Sequence, residues 1–122
     1  MSYFISSPDE TSWDFDATWF SEQLRRWEGV EQKTPDAPSY LPNNALEWTV
    51  PMRFGTLFGA LDHTEQVIHL DGFLGDCALF ALWLRQIVPH DVELLFYDED
   101  YSADVALMIF TAEADLIRAF GA

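Results

Sequence analysis

The densest group of chemically capable side chains is Tyr97-Asp98-Glu99-Asp100-Tyr101-Ser102-Ala103-Asp104. Asp98, Asp100, Ser102 and Asp104 fall at alternate positions, a spacing loosely like that of a calcium-binding loop. Such a loop needs Gly at its sixth position and Glu at its twelfth. Here those positions hold Ala103 and Ile109, so the match fails. Three readings remain: a weak divalent-cation site, a solvated hairpin turn, or a surface suited to Arg and Lys. The third follows from the tyrosines, which supply rigid contact area beside carboxylates that supply complementary charge. The expected partner-binding residues are therefore Tyr97, Asp98, Glu99, Asp100, Tyr101 and Asp104, with Tyr101 as the anchoring ring.

Other reactive side chains are few. Cys77 lies in a highly apolar stretch with Phe73, Leu74, Phe80 and Ala81 at helical spacing, which points to an inert core thiol. His63, His69 and His90 have neither the His-x-x-x-His spacing nor a cysteine pair that zinc would require. No Gly-x-Ser-x-Gly, Gly-rich phosphate loop or His-Glu-x-x-His is present, and nothing singles out a pair of carboxylates for acid–base work. No cofactor, metal or catalytic residue is expected.

The charge balance sharpens the partner argument. The 122 residues carry 21 acids against 6 Lys plus Arg, a net charge of −15. Solubility of a small domain needs a magnitude of only about 2–8. From Phe54 to Arg118, twelve acids face Arg85 as the one base before the end. Such a surface repels nucleic acid and anionic lipid and attracts basic proteins. With five Trp, four Tyr and ten Phe the chain is no disordered acidic tail. Its length fits one domain over residues 1–122. A single cysteine excludes an intramolecular disulfide. No apolar run approaches the roughly 20 residues of a membrane span, and Met1 to Asp9 does not read as a secretory leader. A cytoplasmic protein is expected.

The elements that must position these side chains follow from periodicity. Ser2–Ser7 reads as a strand, and Phe15, Trp19, Phe20, Leu24 and Trp27 mark a helix over Asp16–Glu28 with Gly29 as its stop. Val30–Asn44, polar and holding Pro35, Pro38 and Pro42, reads as a structureless connection of functional length. Leu46–Val50, Arg53–Leu61 and Gln66–Leu70 predict three successive antiparallel strands, the last two joined by a turn at Asp62–Glu65. Leu74–Val88 is apolar almost all round and predicts a buried central helix. Val92–Tyr97 and Val105–Phe110 predict strands around the acidic turn, and Thr111 caps a short closing helix. The resulting order, β-α-β-β-β-α-β-β-α, predicts an α+β domain: an antiparallel sheet of five to six strands, the buried helix and two amphipathic helices. Trp48, Phe80, Trp83, Leu84, Leu95 and Phe96 are expected in or beside the core.

The segment from Asp71 to Phe120 resembles small acidic immunity proteins of bacterial toxin systems. The likeness lies in the apolar run Cys77–Trp83, the Phe96–Val105 stretch and the closing amphipathic helix, together with size and charge. It implies a non-catalytic inhibitor that binds a basic toxin or nuclease. Alternatives from other classes are a nucleic-acid mimic, a metal-dependent hydrolase and a structural subunit of a larger assembly.

Overall fold

The computed structural model describes residues 2–8, 13–35 and 44–121. Among these, seven strands and three helices follow one another as β1 (Ser2–Ser6), α1 (Ala17–Leu24), β2 (Glu31–Lys33), β3 (Leu46–Pro51), β4 (Thr56–Leu61), β5 (Val67–Asp71), α2 (Leu74–Ile87), β6 (Leu95–Asp98), β7 (Asp104–Ala106) and α3 (Glu113–Phe120). The α+β class stands. The strand count is seven rather than five or six, because the connection after α1 is not structureless throughout.

That extra strand, β2, has no apolar alternation to announce it. It is an edge strand pairing antiparallel with β3, Gln32 opposite Trp48. Where an interior strand would bury an aliphatic side chain, Gln32 makes a polar tie to α1. Its Oε1 accepts from Ser21 Oγ at 2.7 Å, and its Nε2 donates to the Ser21 carbonyl at 3.1 Å. Positions 36–43 of the same connection, with Pro38 and Pro42, lie outside the described residues, as do positions 9–12 of the segment ahead of α1.

Helix α1 starts where expected and stops early. Asp16 caps it by accepting from the Trp19 amide at 2.9 Å. After Leu24 the backbone tightens into three-residue turns, Arg26 N–H to the Gln23 carbonyl and Trp27 N–H to the Leu24 carbonyl. Gly29, at φ 78°, then turns the chain into β2.

All strand pairs are antiparallel, in the order β2-β3-β4-β5-β1-β6-β7. Strands β3, β4 and β5 form the expected meander, while β1 is inserted between β5 and β6. The three helices cover one face. Trp48 on β3 packs against Phe20 of α1 and Phe80 of α2, with centroids 5.2 and 5.9 Å apart. Phe120 of α3 meets Tyr3 on β1 and Phe96 on β6 edge-on. The Trp48 indole lies across Gly59 of β4, where an added Cβ would stand 2.2 Å from the ring. A glycine in mid-strand is required for that crossing.

Helix α2 is central but not buried all round, since Leu79 is 37% exposed and Gln86 is also exposed. Its inner side carries two charged residues. Asp76 accepts from the Phe54 amide and so holds the turn before β4. Arg85, 3% exposed, donates to the carbonyls of Val88, Pro89, Val92 and Leu107. The base in the acidic stretch is thus turned inward, where it binds the end of α2 to the following turn and to the exit from β7.

Three local expectations are corrected at this end of the chain. Strand β6 begins at Leu95 because Pro89–Val92 closes a turn, and its phase puts Phe96 toward the helices. Leu95 therefore lies on the opposite face and outside the core, while Leu94 is buried. Strand β7 ends at Ala106, not Phe110. Thr111 Oγ1 accepts from the Met108 amide and the Thr111 amide bonds the Met108 carbonyl, folding Met108–Thr111 into a turn. Ala112, not Thr111, is then the helix N-cap, its amide bonded to Asp115 at 2.8 Å.

Candidate functional site

Strands β6 and β7 position the acidic segment as a hairpin, with Tyr97 opposite Asp104. Asp98 organises the turn. Its carboxylate accepts from the Ser102 amide at 2.8 Å and from the Ser102 hydroxyl, and its carbonyl accepts from the Tyr101 amide at 3.1 Å. The Ser102 hydroxyl bond, against a smaller opposing effect of desolvation and with help from backbone N–H groups, holds the Asp98 carboxyl below the usual carboxylate range. Asp98 is therefore ionised through the physiological range. Glu99, Asp100 and Asp104 are exposed around it.

Tyr101 sits at φ 53°, in the left-handed region that a bulky residue seldom enters. Its ring is 67% exposed yet stacked on Tyr97, centroids 4.7 Å apart and planes 11° from parallel. Tyr97 is 8% exposed and supports rather than presents. Its hydroxyl lies 3.0 Å from Ser6 Oγ, and burial raises the phenol pKa above its ordinary value. The six expected residues thus divide: Tyr97 backs the ring, Asp98 shapes the turn, and Glu99, Asp100, Tyr101 and Asp104 face outward.

The stack continues onto the face of the sheet that the helices leave open. The register aligns Lys33, Glu47, Ala60, His69, Phe4, Tyr97 and Asp104 in one row across the seven strands. Phe4 stacks on Tyr97 at 5.6 Å and on His69 at 4.9 Å, with planes within 18°. A ladder of four parallel rings therefore runs His69, Phe4, Tyr97, Tyr101. Beyond His69 the row drops to the methyl of Ala60, and there a groove of about 580 Å³ opens, lined among others by Glu31, Glu47, Phe58, His69 and Asp71. Sequence reasoning missed this ladder. Its signal was the unbroken apolar runs Tyr3-Phe4-Ile5 and Leu94-Leu95-Phe96-Tyr97, which do not alternate as a strand with one wet face should.

Four of the six bases are paired or buried, while Arg25 and Arg26 stand exposed after α1. Lys33 pairs with Glu47 at 3.4 Å, Arg53 with Glu113 and Arg118 with Asp115 at 3.0 Å, while Arg85 is internal. Cys77 is fully buried. Burial, with Asp76 adding to it, pushes the thiol up to about 12, so no thiolate forms near neutrality. His63 and His90 are exposed and His69 is part of the ladder. Among the described residues no group of three His, Cys, Asp or Glu side chains could hold a metal ion, and no helix is long and apolar enough to cross a membrane. Compared with family models, curated proteins and solved structures, the chain matches none, so the residues themselves carry the functional argument.

Proposed function

We propose that this chain is a non-catalytic acidic binding protein, an immunity-type inhibitor that docks a basic toxin or nuclease through the Tyr97–Asp104 hairpin. The observation that carries the reading is Tyr101. Backbone strain of this kind persists where surrounding structure enforces it, and it clusters at sites of function. Here it holds a large exposed ring upright among Asp98, Glu99, Asp100 and Asp104. An aromatic anchor ringed by like charge suits an Arg- and Lys-bearing surface, which would relieve the repulsion among the carboxylates. The net charge of −15 would steer such a partner from a distance.

The test is association kinetics with the purified product of the adjacent reading frame, at low and high salt. The wild-type chain should associate quickly at low salt and more slowly as salt rises. The variant Asp98→Asn with Glu99→Gln and Asp100→Asn should lose about tenfold in association rate at low salt. Tyr101→Ala should act mainly on dissociation. Unchanged rates and affinity in both variants would remove the hairpin from the site. Exclusive binding to proteins that also bind DNA at the same surface, competed by duplex DNA, would favour the nucleic-acid mimic instead.

A further inference from the structure

We infer that the groove over Ala60 on the open sheet face is a guanidinium slot, the place where an arginine of the basic partner inserts. This inference deepens the proposed function and rests on it for the identity of the partner. Its geometry stands apart from the hairpin.

The slot follows from one small side chain in a row of large ones. Glu47, Ala60 and His69 are register neighbours on β3, β4 and β5. Adjacent strands lie about 4.8 Å apart, so Glu47 and His69 flank Ala60 across about 10 Å. The Ala60 methyl leaves that interval open. A planar group stacked on the His69 ring at about 3.5–4 Å occupies a single layer of this interval and turns its other face toward the Glu47 carboxylate, which acts on it through its charge.

Each wall suits a guanidinium. His69 is the terminal ring of the stacked ladder, and its neighbour Phe4 covers one side only. Its Nε2 is buried and makes no hydrogen bond among the described residues. Phe58 stands 56% exposed beside the groove, an aromatic face with no helix to cover it. Glu31, Glu47 and Asp71 line the groove against Lys33, which pairs with Glu47 Oε1 while Asn44 donates to Glu47 Oε2 at 2.9 Å. The charge complementarity is therefore cationic. A flat cation that stacks is favoured over a compact ammonium, because a guanidinium lies flat on the His69 ring among the carboxylates whereas Lys presents a point charge. The partner segment that reaches both sites crosses from Tyr101, one ring beyond Tyr97, to the slot over β4, about four spacings or some 19 Å.

The experiment uses the full chain, isotope-labelled, titrated with an arginine tripeptide and separately with a lysine tripeptide. The arginine peptide should shift the Glu47, Ala60 and His69 amide signals saturably, with the lysine peptide about fivefold weaker. Ala60→Leu fills the slot from a face that no helix packs against. It should weaken the arginine peptide about fivefold while leaving the thermal midpoint near wild type. Glu47→Gln, which leaves the shape unchanged, is the second variant and should weaken it comparably. The hairpin triple variant should leave these shifts in place. Shifts confined to residues 98–104 would overturn the slot and spare the hairpin reading. Equal response to arginine and lysine, or full binding by Ala60→Leu, would also overturn the slot. Slot binding that survives while both hairpin variants bind the protein partner unchanged would overturn the hairpin alone.

Discussion

Replacing Arg85 by methionine keeps the length of the side chain and removes its fork. Four carbonyls then lose a donor, but not equally. The bonds to Pro89 and Val92 are short, 2.6 and 2.7 Å, while those to Val88 and Leu107 are both 3.3 Å. A hydrogen bond to a charged group contributes about 1.5–3 kcal/mol net. Two short bonds set the scale at about 3–6 kcal/mol. The Pro89 carbonyl keeps the Val92 amide at 3.0 Å as a second donor, so its loss lies at the low end. Methionine also escapes the cost of burying a charge that no carboxylate bonds, which returns part of the loss. The expected net destabilisation is about 2–4 kcal/mol, a large share of the 5–15 kcal/mol typical of a domain. Urea unfolding followed by tryptophan fluorescence reads it directly. With a slope of about 2 kcal/mol per molar, the midpoint should fall by about 1–2 M with no change in slope. Arg85→Lys should recover little, since an ammonium cannot span the carbonyls of the turn after α2 and of Leu107 beyond β7 as the fork does. An Arg85→Met midpoint equal to wild type would show that the guanidinium only occupies space, and the reasoning would fail.

Three further outcomes are expected. Gly59→Ala puts a Cβ where the Trp48 indole lies, and overpacking should cost about 1–3 kcal/mol, read as a lower thermal midpoint with blue-shifted or broadened tryptophan emission. Ser102→Ala removes the largest contribution that depresses Asp98, so the Asp98 carboxyl should titrate closer to its ordinary value of 3.8 in a carboxyl NMR titration. The sign follows from that depression: the stabilisation linked to Asp98 is complete above the unfolded pKa and is lost as pH falls through the folded one, and the variant should lose that acid-side protection. An unmoved titration would refute the hydroxyl's role. Cys77 should stay unmodified by a thiol reagent in the native state at neutral pH and react fully once unfolded, and rapid native labelling would contradict its burial.

Much of the fold was legible because apolar spacing reports directly on which side of an element is dry. Trp48 and Val50 gave β3, Phe20 and Leu24 gave α1, and the run from Leu74 gave α2. What escaped was held by polar contacts. Strand β2 is fixed by Gln32 and Ser21, and the turn at Met108 by the Thr111 hydroxyl, so neither left a hydrophobic rhythm to read. Leu95 was misplaced by one residue of phase, enough to change its face. The hairpin was found because carboxylates and tyrosines crowd one turn of the sequence. The His69–Phe4–Tyr97 ladder and the Ala60 slot were not, because their members stand far apart in the chain and only the register makes them neighbours.

The place of β1 inside the sheet has a consequence for how the chain is made. Ser2–Ser6 is the earliest of the strands to leave the ribosome, yet its neighbours are β5 and β6, which end at Asp71 and Asp98. At about 5–20 residues per second, the first of these flanking strands is some 3–13 s away and the second about 5–20 s. Until then β1 is an apolar ribbon with both edges unmatched. The β3–β5 meander can assemble by itself, but among the described residues β1 is the strand that bridges it to β6, β7 and the acidic hairpin. Nascent chains should therefore stay protease-sensitive at Tyr3 until β6 has been translated. The open sheet face then forms in a single late step, as β1 closes the gap between the two halves of the sheet.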